Sequence, residues 1–483
     1  MNKRLLLNVL GKILVIEAGA MALCLAVSLY YRDGDTWALV NSILLLLVAG
    51  LPMWLLSRPR DMNMRAREGV VAVAGSWVLI SLFGSLPFVF SGLIPDLPSA
   101  IFECASGFTT TGATVLIDFP DKDFRGVFFW RSFTHWIGGM GILVLTLAIL
   151  PTMSGRTSHL VQAESPGPSL SKLVPKMGDT AKILYLIYTV LTAVLVLLLV
   201  LSGMGLYDAA IHAFGTAGTG GFSNYGTSVG HFKSPLIDGI ITVFMLVFGA
   251  NFAVYYKVVR GSWREVLHSE ELRIYLFIAG VSTLLIAINI LPRYGNFFQA
   301  LRYGSFQASS IMTTTGYATT DFNLWPQLSR MILVLLMFIG ACAGSTAGGL
   351  KVVRAILLGK MSLRQIRQTF KPRKVEVVRI EGKAVEEDML GQVAVFFFAY
   401  ILLLLFGTLL ISLDNLYDIE TNFTATLTCI SNVGPGLGAV GPMGNFAGYS
   451  GFSKIVLSVI MLAGRLELFP IFVLFYPAVW KKQ

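Results

Sequence analysis

Four glycine-containing strings are the residues of this chain whose types and spacing could do chemistry. They read TTTGAT, AGTGGF, TTTGYA and NVGPGL, at 109–114, 217–222, 313–318 and 432–437. We take their central glycines as Gly112, Gly220, Gly316 and Gly434. Glycine permits the left-handed dihedrals that aim successive carbonyls at one axis, and rings of backbone carbonyls can replace the hydration shell of a monovalent cation. The strings therefore predict ion coordination by oxygen dipoles.

The composition places these strings in a membrane. Of 483 residues, 55% are hydrophobic and only 13% are charged, whereas soluble proteins carry about 25% charged residues. The chain is therefore predicted to cross the lipid bilayer many times. Its net charge of +10 does not indicate nucleic-acid binding, because Lys and Arg concentrate in alternate loops. That distribution predicts that both termini are cytoplasmic.

The strings belong to a repeated unit. Each follows an apolar segment too short to cross the bilayer, at 97–108, 207–217, 297–312 and 418–430, and each precedes a long apolar segment with a small-residue break. Non-helical backbone survives at membrane depth only where it is buried in protein or lines a watery cavity. For a single string, close helix packing would explain the glycine equally well. Four strings in the same position of a repeat favour one shared cavity.

We therefore predict an all-α polytopic membrane protein with four tandem span–pore-helix–filter–span units around a pseudo-fourfold pore. Two extra spans precede the first unit, and the first span is expected to be an uncleaved one. The predicted bounds are 1–60 for the two N-terminal helices, 69–155 for unit 1, 178–262 for unit 2, 270–360 for unit 3, 361–388 for a cytoplasmic loop and 389–483 for unit 4.

Other function classes lack their sequence features. No HExxH or GxSxG motif lies in a predicted span and no Walker A motif is present, so we expect no enzyme, and any ATP would bind a partner. The four cysteines form no CxxC pair and the five histidines match no metal spacing. The strings hold no acidic residue, which favours a large monovalent ion over Ca²⁺ or Mg²⁺.

Seven strings stand out in the sequence: FTTTGAT, GGFS, TTTGYATTDF, SNVGPGLG, QAESPGP, GACAGSTAGG and GRLELF. In these strings the chain resembles the Trk/Ktr/HKT superfamily of potassium transporters, most closely its bacterial TrkH branch. It implies potassium uptake across the bacterial inner membrane by a homodimer. It also implies gating by a TrkA-like cytosolic ring that binds the nucleotide, so that this chain needs no cofactor and holds K⁺ at the filter only.

The resemblance also assigns the filter. It consists of the four glycines and the carbonyls beside them, which are those of Thr111, Thr219, Thr315 and Val433. Plant relatives that prefer sodium have serine at the first filter glycine, so the glycine at 112 favours potassium. Strings two and four depart from TTTG, which leaves a sodium-permeable pore as one alternative. A Na⁺- or H⁺-coupled symporter is another, although it would usually need an ionisable residue at mid-membrane.

A gate is predicted at GACAGSTAGG, residues 340–349. Its glycines oppose a continuous helix, and the family places an intramembrane loop here, below the filter. The residues assigned to the gate are Gly344, Ser345, Thr346, Gly348, Gly349 and Arg465. The alternatives are a packed kink for the loop and, for Arg465, a local pair with Glu467. We expect Glu17, Glu103 and Arg131 to be structural.

Overall fold

The computed structural model describes residues 2–57, 66–120, 123–141, 177–373 and 376–477. The first half contains α1 Lys3–Tyr31, α2 Thr36–Leu55, α3 Ala66–Phe83, α4 Leu86–Phe90, α5 Leu97–Phe108, α6 Arg125–Gly139, α7 Met177–Leu201, α8 Leu206–Ala217, α9 Pro235–Phe248, α10 Phe252–Val259 and α11 Trp263–Leu267. The second half contains α12 Glu270–Tyr294, α13 Phe297–Met312, α14 Gln327–Ile339, α15 Val352–Phe370, β1 Arg379–Ile380, β2 Lys383–Ala384, α16 Glu387–Ile411, α17 Ile419–Ser431, α18 Gly451–Arg465 and α19 Phe469–Phe475. The motif QAESPGP lies outside the described residues.

Long apolar helices form the frame of the molecule. Among the described residues, six helices are long and apolar enough to cross a membrane, namely α1, α2, α3 with its continuation α4, α7, α12 and α16. The strands of the described chain form one short antiparallel hairpin, in which Arg379 pairs with Ala384. The chain is thus an all-α multi-pass membrane protein, as predicted.

The second span of each predicted unit is interrupted at its small residues. Helices α9 and α10 are bent by 92° at their break, and residues 340–351 separate α14 from α15 without a helix. Helix α18 ends at Arg465, and Glu467 and Leu468 then adopt positive φ before α19. Helix α6 ends at Gly139, close to the edge of the described residues. Glycine-rich sequence costs helix stability, which explains why these helices end at the small-residue breaks seen in the sequence.

The turn between α1 and α2 fixes the start of α6. Asp33 accepts a hydrogen bond from the N–H of Arg125 at 3.0 Å, and Asp35 accepts one from the N–H of Val127 at 2.7 Å. Carboxylates at a helix N-terminus satisfy free N–H groups and interact favourably with the helix dipole. The two N-terminal helices are thereby tied to the helix that follows the first string.

The four short helices α5, α8, α13 and α17 lie within one residue of the predicted segments. Three have side-chain N-caps, in which Asp96, Asn296 and Asp418 accept from the N–H of Ser99, Phe298 and Thr421. Such caps replace hydrogen bonds that the first turn of a helix lacks. Each helix ends directly before a string, so its carbonyl terminus is directed at that string.

Candidate ion-selectivity filter and gate

The four strings share one backbone conformation. The residue two before each glycine has φ near +55°, at Thr110, Thr219, Thr314 and Asn432. The glycines Gly112, Gly221, Gly316 and Gly434 have φ of 82°, 75°, 79° and 101°. Positive φ is uncommon for threonine, and strained backbone of this kind clusters at functional sites. Its recurrence at equivalent positions indicates one structural motif written four times.

This pattern changes the register assigned to string two. The sequence analysis paired Gly220 with Gly112 and Thr219 with Thr111, but positive φ falls on Thr219 and Gly221. Gly221 is therefore the equivalent of Gly112, and Gly220 takes the position of Thr111. The AGTGGF string contains two adjacent glycines, and the sequence analysis matched the first of them, Gly220, to the glycine of TTTG. The correction moves the carbonyl of string two from Thr219 to Gly220.

Hydrogen bonding fixes how each string leaves its helix. The N–H groups of Thr111, Gly220, Thr315 and Val433 each donate to the carbonyl five residues earlier, at 2.8–2.9 Å; the acceptors are Ser106, Gly215, Ser310 and Thr428. These bonds bind every string to the last turn of its own helix. Each string is fixed by the hydrogen bond that its N–H group donates. Its own carbonyl groups are therefore held in place without needing to form hydrogen bonds within their unit.

The strings contact one another in a closed cycle. A Cβ built on Gly112 would lie 1.9 Å from the carbonyl oxygen of Gly220, and one built on Gly221 would lie 1.9 Å from that of Thr315. One built on Gly316 would lie 2.2 Å from the oxygen of Val433. The last, on Gly434, would lie 2.7 Å from the oxygen of Thr111. Units one to four therefore form a ring, with each glycine against the next unit's carbonyl.

All four of these glycines also line one opening, a cavity of about 130 Å³ on one side of the ring. Arg131 and Asn445 lie in its wall as well. The carbonyl ring is therefore continuous with a mouth into which water and ions can enter. We call this side of the ring the mouth.

Threonine hydroxyls bond neighbours within the ring. Thr109 and Thr111 share a hydrogen bond of 2.7 Å between their Oγ1 atoms, and Thr313 and Thr315 share one of 2.8 Å. In string four, Asn432 Nδ2 donates to Thr111 Oγ1 at 3.0 Å. This last bond joins the fourth unit to the first and supplements the cycle of glycine contacts.

A buried ion pair braces strings one and two, a role that the sequence analysis missed. Arg131 Nε lies 2.6 Å from Glu103 Oε1, and the two side chains are 2% and 0% exposed. Glu103 also accepts from the N–H of Val115 at 2.8 Å, while Arg131 Nη1 donates to the carbonyl of Ser223 at 2.9 Å. The guanidinium lies 3.5 Å from the ring centroid of Phe222. Two charged residues within apolar helices were the available sequence signal.

His135 connects the same two strings. Its Nδ1 lies 2.8 Å from the carbonyl of Gly107 on α5, and its Nε2 accepts from the N–H of Phe222 at 3.2 Å. This pair of contacts requires the neutral ring with the proton on Nδ1. The histidine thus has a structural role and supports the ring.

We predict a large stability loss on removing the guanidinium from this brace. Arg131→Met leaves Glu103 charged and buried, and breaking a buried pair in this way costs about 3–5 kcal/mol. Thermal unfolding of the purified protein in detergent should show a clearly lower transition temperature. The matched control is Arg330→Met, because Arg330 pairs with Glu420 at a partly exposed position. Equal transition temperatures for both variants would contradict the brace.

The predicted gate residues lie directly beneath the ring, on the side away from the mouth. We call residues 340–351 the gating loop. The N–H of Gly348 donates to Thr314 Oγ1 at 2.8 Å, and a Cβ on Gly348 would lie 2.2 Å from the carbonyl oxygen of Ser431. Ser345 Oγ donates to the carbonyl of Cys342 at 2.6 Å and stabilises the turn. Gly344 and Gly349 have φ of 68° and 76°, which suits glycine.

Arg465 joins three of the four units at this level. Its guanidinium donates to the carbonyl of Thr346 at 2.7 Å and to those of Gly138 and Gly139 at 2.5 and 2.9 Å. It therefore links the end of α18 to the gating loop and to the end of α6. Glu467, which the sequence analysis weighed as its local partner, forms an ion pair with Arg354 at 2.5 Å.

Known proteins match this chain over its whole length. A family model described as TrkH, a cation transport protein, matches residues 37–289 and 296–482. The chain belongs to the TrkH family of cation transport proteins. The Trk system potassium uptake protein TrkH of Salmonella typhimurium is 36% identical over 490 residues, covering 100% of both chains. The corresponding protein of Escherichia coli K12 is 35% identical over 491 residues, again covering 100% of both.

A solved structure of the family has the same fold. The crystal structure of the potassium transporter TrkH from Vibrio parahaemolyticus matches with a TM-score of 0.88 and 32% sequence identity, covering 100% of each chain. Family membership confirms the recognition from sequence and the prediction of a transport protein instead of an enzyme. The four cysteines are buried and free. In the described part of the chain, no three His, Cys, Asp or Glu side chains could together hold a metal ion.

Proposed function

We propose that this chain takes up potassium through a channel-like pore, with the carbonyl ring as its selectivity filter. The cyclic contact between each glycine and the next unit's carbonyl carries the proposal. Main-chain carbonyls held by such contacts can replace water around a dehydrated K⁺ ion. The relatives named as potassium uptake proteins support the same ion.

The proposed filter consists of the backbone carbonyl oxygens of Thr111, Gly220, Thr315 and Val433, and each of these residues is followed by its glycine. The four helix C-termini directed at the strings add partial negative charge, which favours a cation. The strings carry no Asp or Glu, so the ion is coordinated by dipoles alone. No proton-binding or sodium-binding carboxylate is available in the strings for coupled transport, which favours passive flux over symport.

The gating loop and Arg465 form the proposed gate. The loop touches strings three and four, and Arg465 adds a positive charge below the ring that opposes an arriving cation. Opening requires the loop to leave Thr314 and the arginine to leave its three carbonyls. A cytosolic partner is proposed to drive that change in a homodimer of the bacterial inner membrane, with both termini in the cytoplasm and any nucleotide on the partner.

Ion flux into proteoliposomes that hold the purified chain alone tests this function. We expect uptake of K⁺ and Rb⁺ to exceed that of Na⁺ and Li⁺, and shortening residues 341–349 should raise all measurable fluxes. Equal uptake of Na⁺ and K⁺ would favour a sodium-permeable pore. No flux of any ion, even with the shortened loop, would contradict the pore and leave the glycines as helix-packing residues.

A further inference from the structure

The gating loop has a second attachment, on the side that faces away from the ring. Oε1 of Glu271 accepts a hydrogen bond from the N–H of Ala343 at 2.7 Å. The N–H of Val353, just beyond the other end of the loop, also stabilises this carboxylate. Glu271 lies in the first turn of α12, the first span of unit 3. One carboxylate thus contacts the loop near its start and the chain just beyond its end.

The residues immediately before Glu271 hold a different structure. Ser269 Oγ donates to Glu381 Oε1 at 2.9 Å, and the carboxylate of Glu270 accepts from the N–H of Glu381 at 3.2 Å. Lys360 forms an ion pair with Glu270 and donates to the carbonyl of Arg379 at 2.8 Å. Glu381 is the turn of the β-hairpin, residues 379–384, in the segment predicted to be cytoplasmic. Ser269, the N-cap residue of α12, and Glu270, its first residue, therefore bind the hairpin.

A cavity lies between part of the hairpin and the loop. A cavity of about 410 Å³ is lined by Glu271 and Val353 on the loop side and by Glu381 and Lys383 of the hairpin. Beside this cavity, Ala343 of the loop and Val353 belong to the same buried apolar cluster as Val378 and Val385, which flank the hairpin. A push on the hairpin can therefore reach the loop through this cluster and through the first turn of α12. We call residues 269–271 the coupling segment.

We propose that the coupling segment transmits movement of the hairpin to the gating loop, with Glu271 as the positioning residue that holds the loop closed. This inference rests on the proposed function, because it requires the loop to be a gate. Two backbone hydrogen bonds also hold this part of the gating loop to unit 2. The N–H of Cys342 donates to the carbonyl of Gly249 at 3.1 Å, and the N–H of Phe252 donates to the carbonyl of Gly344 at 3.0 Å. Loss of Glu271 should therefore shift the gate towards open without freeing the loop.

Single-channel recording of the full-length chain in a planar bilayer, without any partner, tests the contact to the loop. Glu271→Ala should raise open probability by roughly tenfold, the effect of losing one hydrogen bond to a charged group. Unit conductance and the K⁺ to Na⁺ ratio should stay unchanged, because the ring is untouched. A merely structural loss would lower the number of active channels and would not raise their open probability.

Two further variants control this result. Glu271→Gln keeps an acceptor oxygen and should return open probability towards the wild-type value. Glu265→Ala removes a nearby carboxylate that pairs with Lys257 and should change nothing. Equal effects of the Ala and Gln variants at 271, or an effect of Glu265→Ala as large as that of Glu271→Ala, would contradict the proposed contact.

The link to the hairpin is tested by combination. The double variant Ser269→Ala/Glu270→Ala should raise open probability severalfold in the wild-type background. Combined with Glu271→Ala it should add nothing, because substitutions in one coupled set of contacts are not additive. Effects that multiply, or no effect in the wild-type background, would overturn the coupling. Shortening the loop separates the two proposals: if the shortened protein conducts while Glu271→Ala stays closed, only the inference fails. If neither conducts, both fail.

Discussion

Gly112→Ser is expected to reduce the preference for K⁺ over Na⁺ by roughly tenfold or more, because relieving an overpacked contact of about 1–3 kcal/mol would displace a carbonyl oxygen of the ring. The new Cβ would lie 1.9 Å from the carbonyl oxygen of Gly220, at a residue whose φ is +82°. The carbonyl of Gly220 cannot move away from this Cβ unless the backbone of string two moves with it. Bi-ionic reversal potentials in planar bilayers measure the ratio directly.

Two companion variants sharpen this test. Gly221→Ser should act like Gly112→Ser, because its Cβ would meet the carbonyl of Thr315 at 1.9 Å. Gly239→Ala is the matched control, since Gly239 lies in α9 and a Cβ there meets no atom within 4 Å. An unchanged selectivity ratio in Gly112→Ser, with the protein folded, would contradict the carbonyl ring as the filter.

Arg465→Gln is expected to raise K⁺ flux through the chain alone by at least about tenfold. The substitution removes charge-assisted hydrogen bonds, each of which contributes about 1.5–3 kcal/mol. It also removes the positive charge below the ring, so both the block and the contact with Thr346 weaken. Rubidium uptake into proteoliposomes at a fixed membrane potential measures the change.

The matched control for this variant is Arg330→Gln. Arg330 is also an arginine of the second span of a unit, but it pairs with Glu420 at a partly exposed position away from the gating loop. It should leave uptake at the wild-type rate. Uptake in Arg465→Gln that is no faster than in the control would show that Arg465 does not hold the gate closed.

The sequence predicted the repeat because its physical cause is local. Glycine strings and short preceding helices follow from propensity and span length, and the observed helices agree with the predicted segments within one residue. String two shows the limit. In GTGG either glycine fits the composition, and the backbone angles identify Gly221. Counting four residues from the predicted end of each preceding segment gives 112, 221, 316 and 434, so this count would have identified Gly221 from the sequence.

Contacts between distant segments were beyond the sequence. Glu103 and Arg131 were recognised as charged residues in apolar helices, but a brace needs two helices and two strings in fixed positions. Glu271 and Ala343 are 72 positions apart, and nothing in either neighbourhood marks them as partners. The pairing of Arg465 with the gating loop was expected only because the family resemblance placed that loop below the filter.

The contact of Gly434 with the carbonyl of Thr111 joins the last unit to the first. A ribosome must therefore deliver more than four hundred residues to the membrane before the ring can close. A nascent chain that carries only three units has an unfinished ring, and Arg465 is still to come. The carbonyl ring and Arg465, which we propose as filter and part of the gate, are therefore both completed only by the final unit, and a chain of three units contains no closed ring.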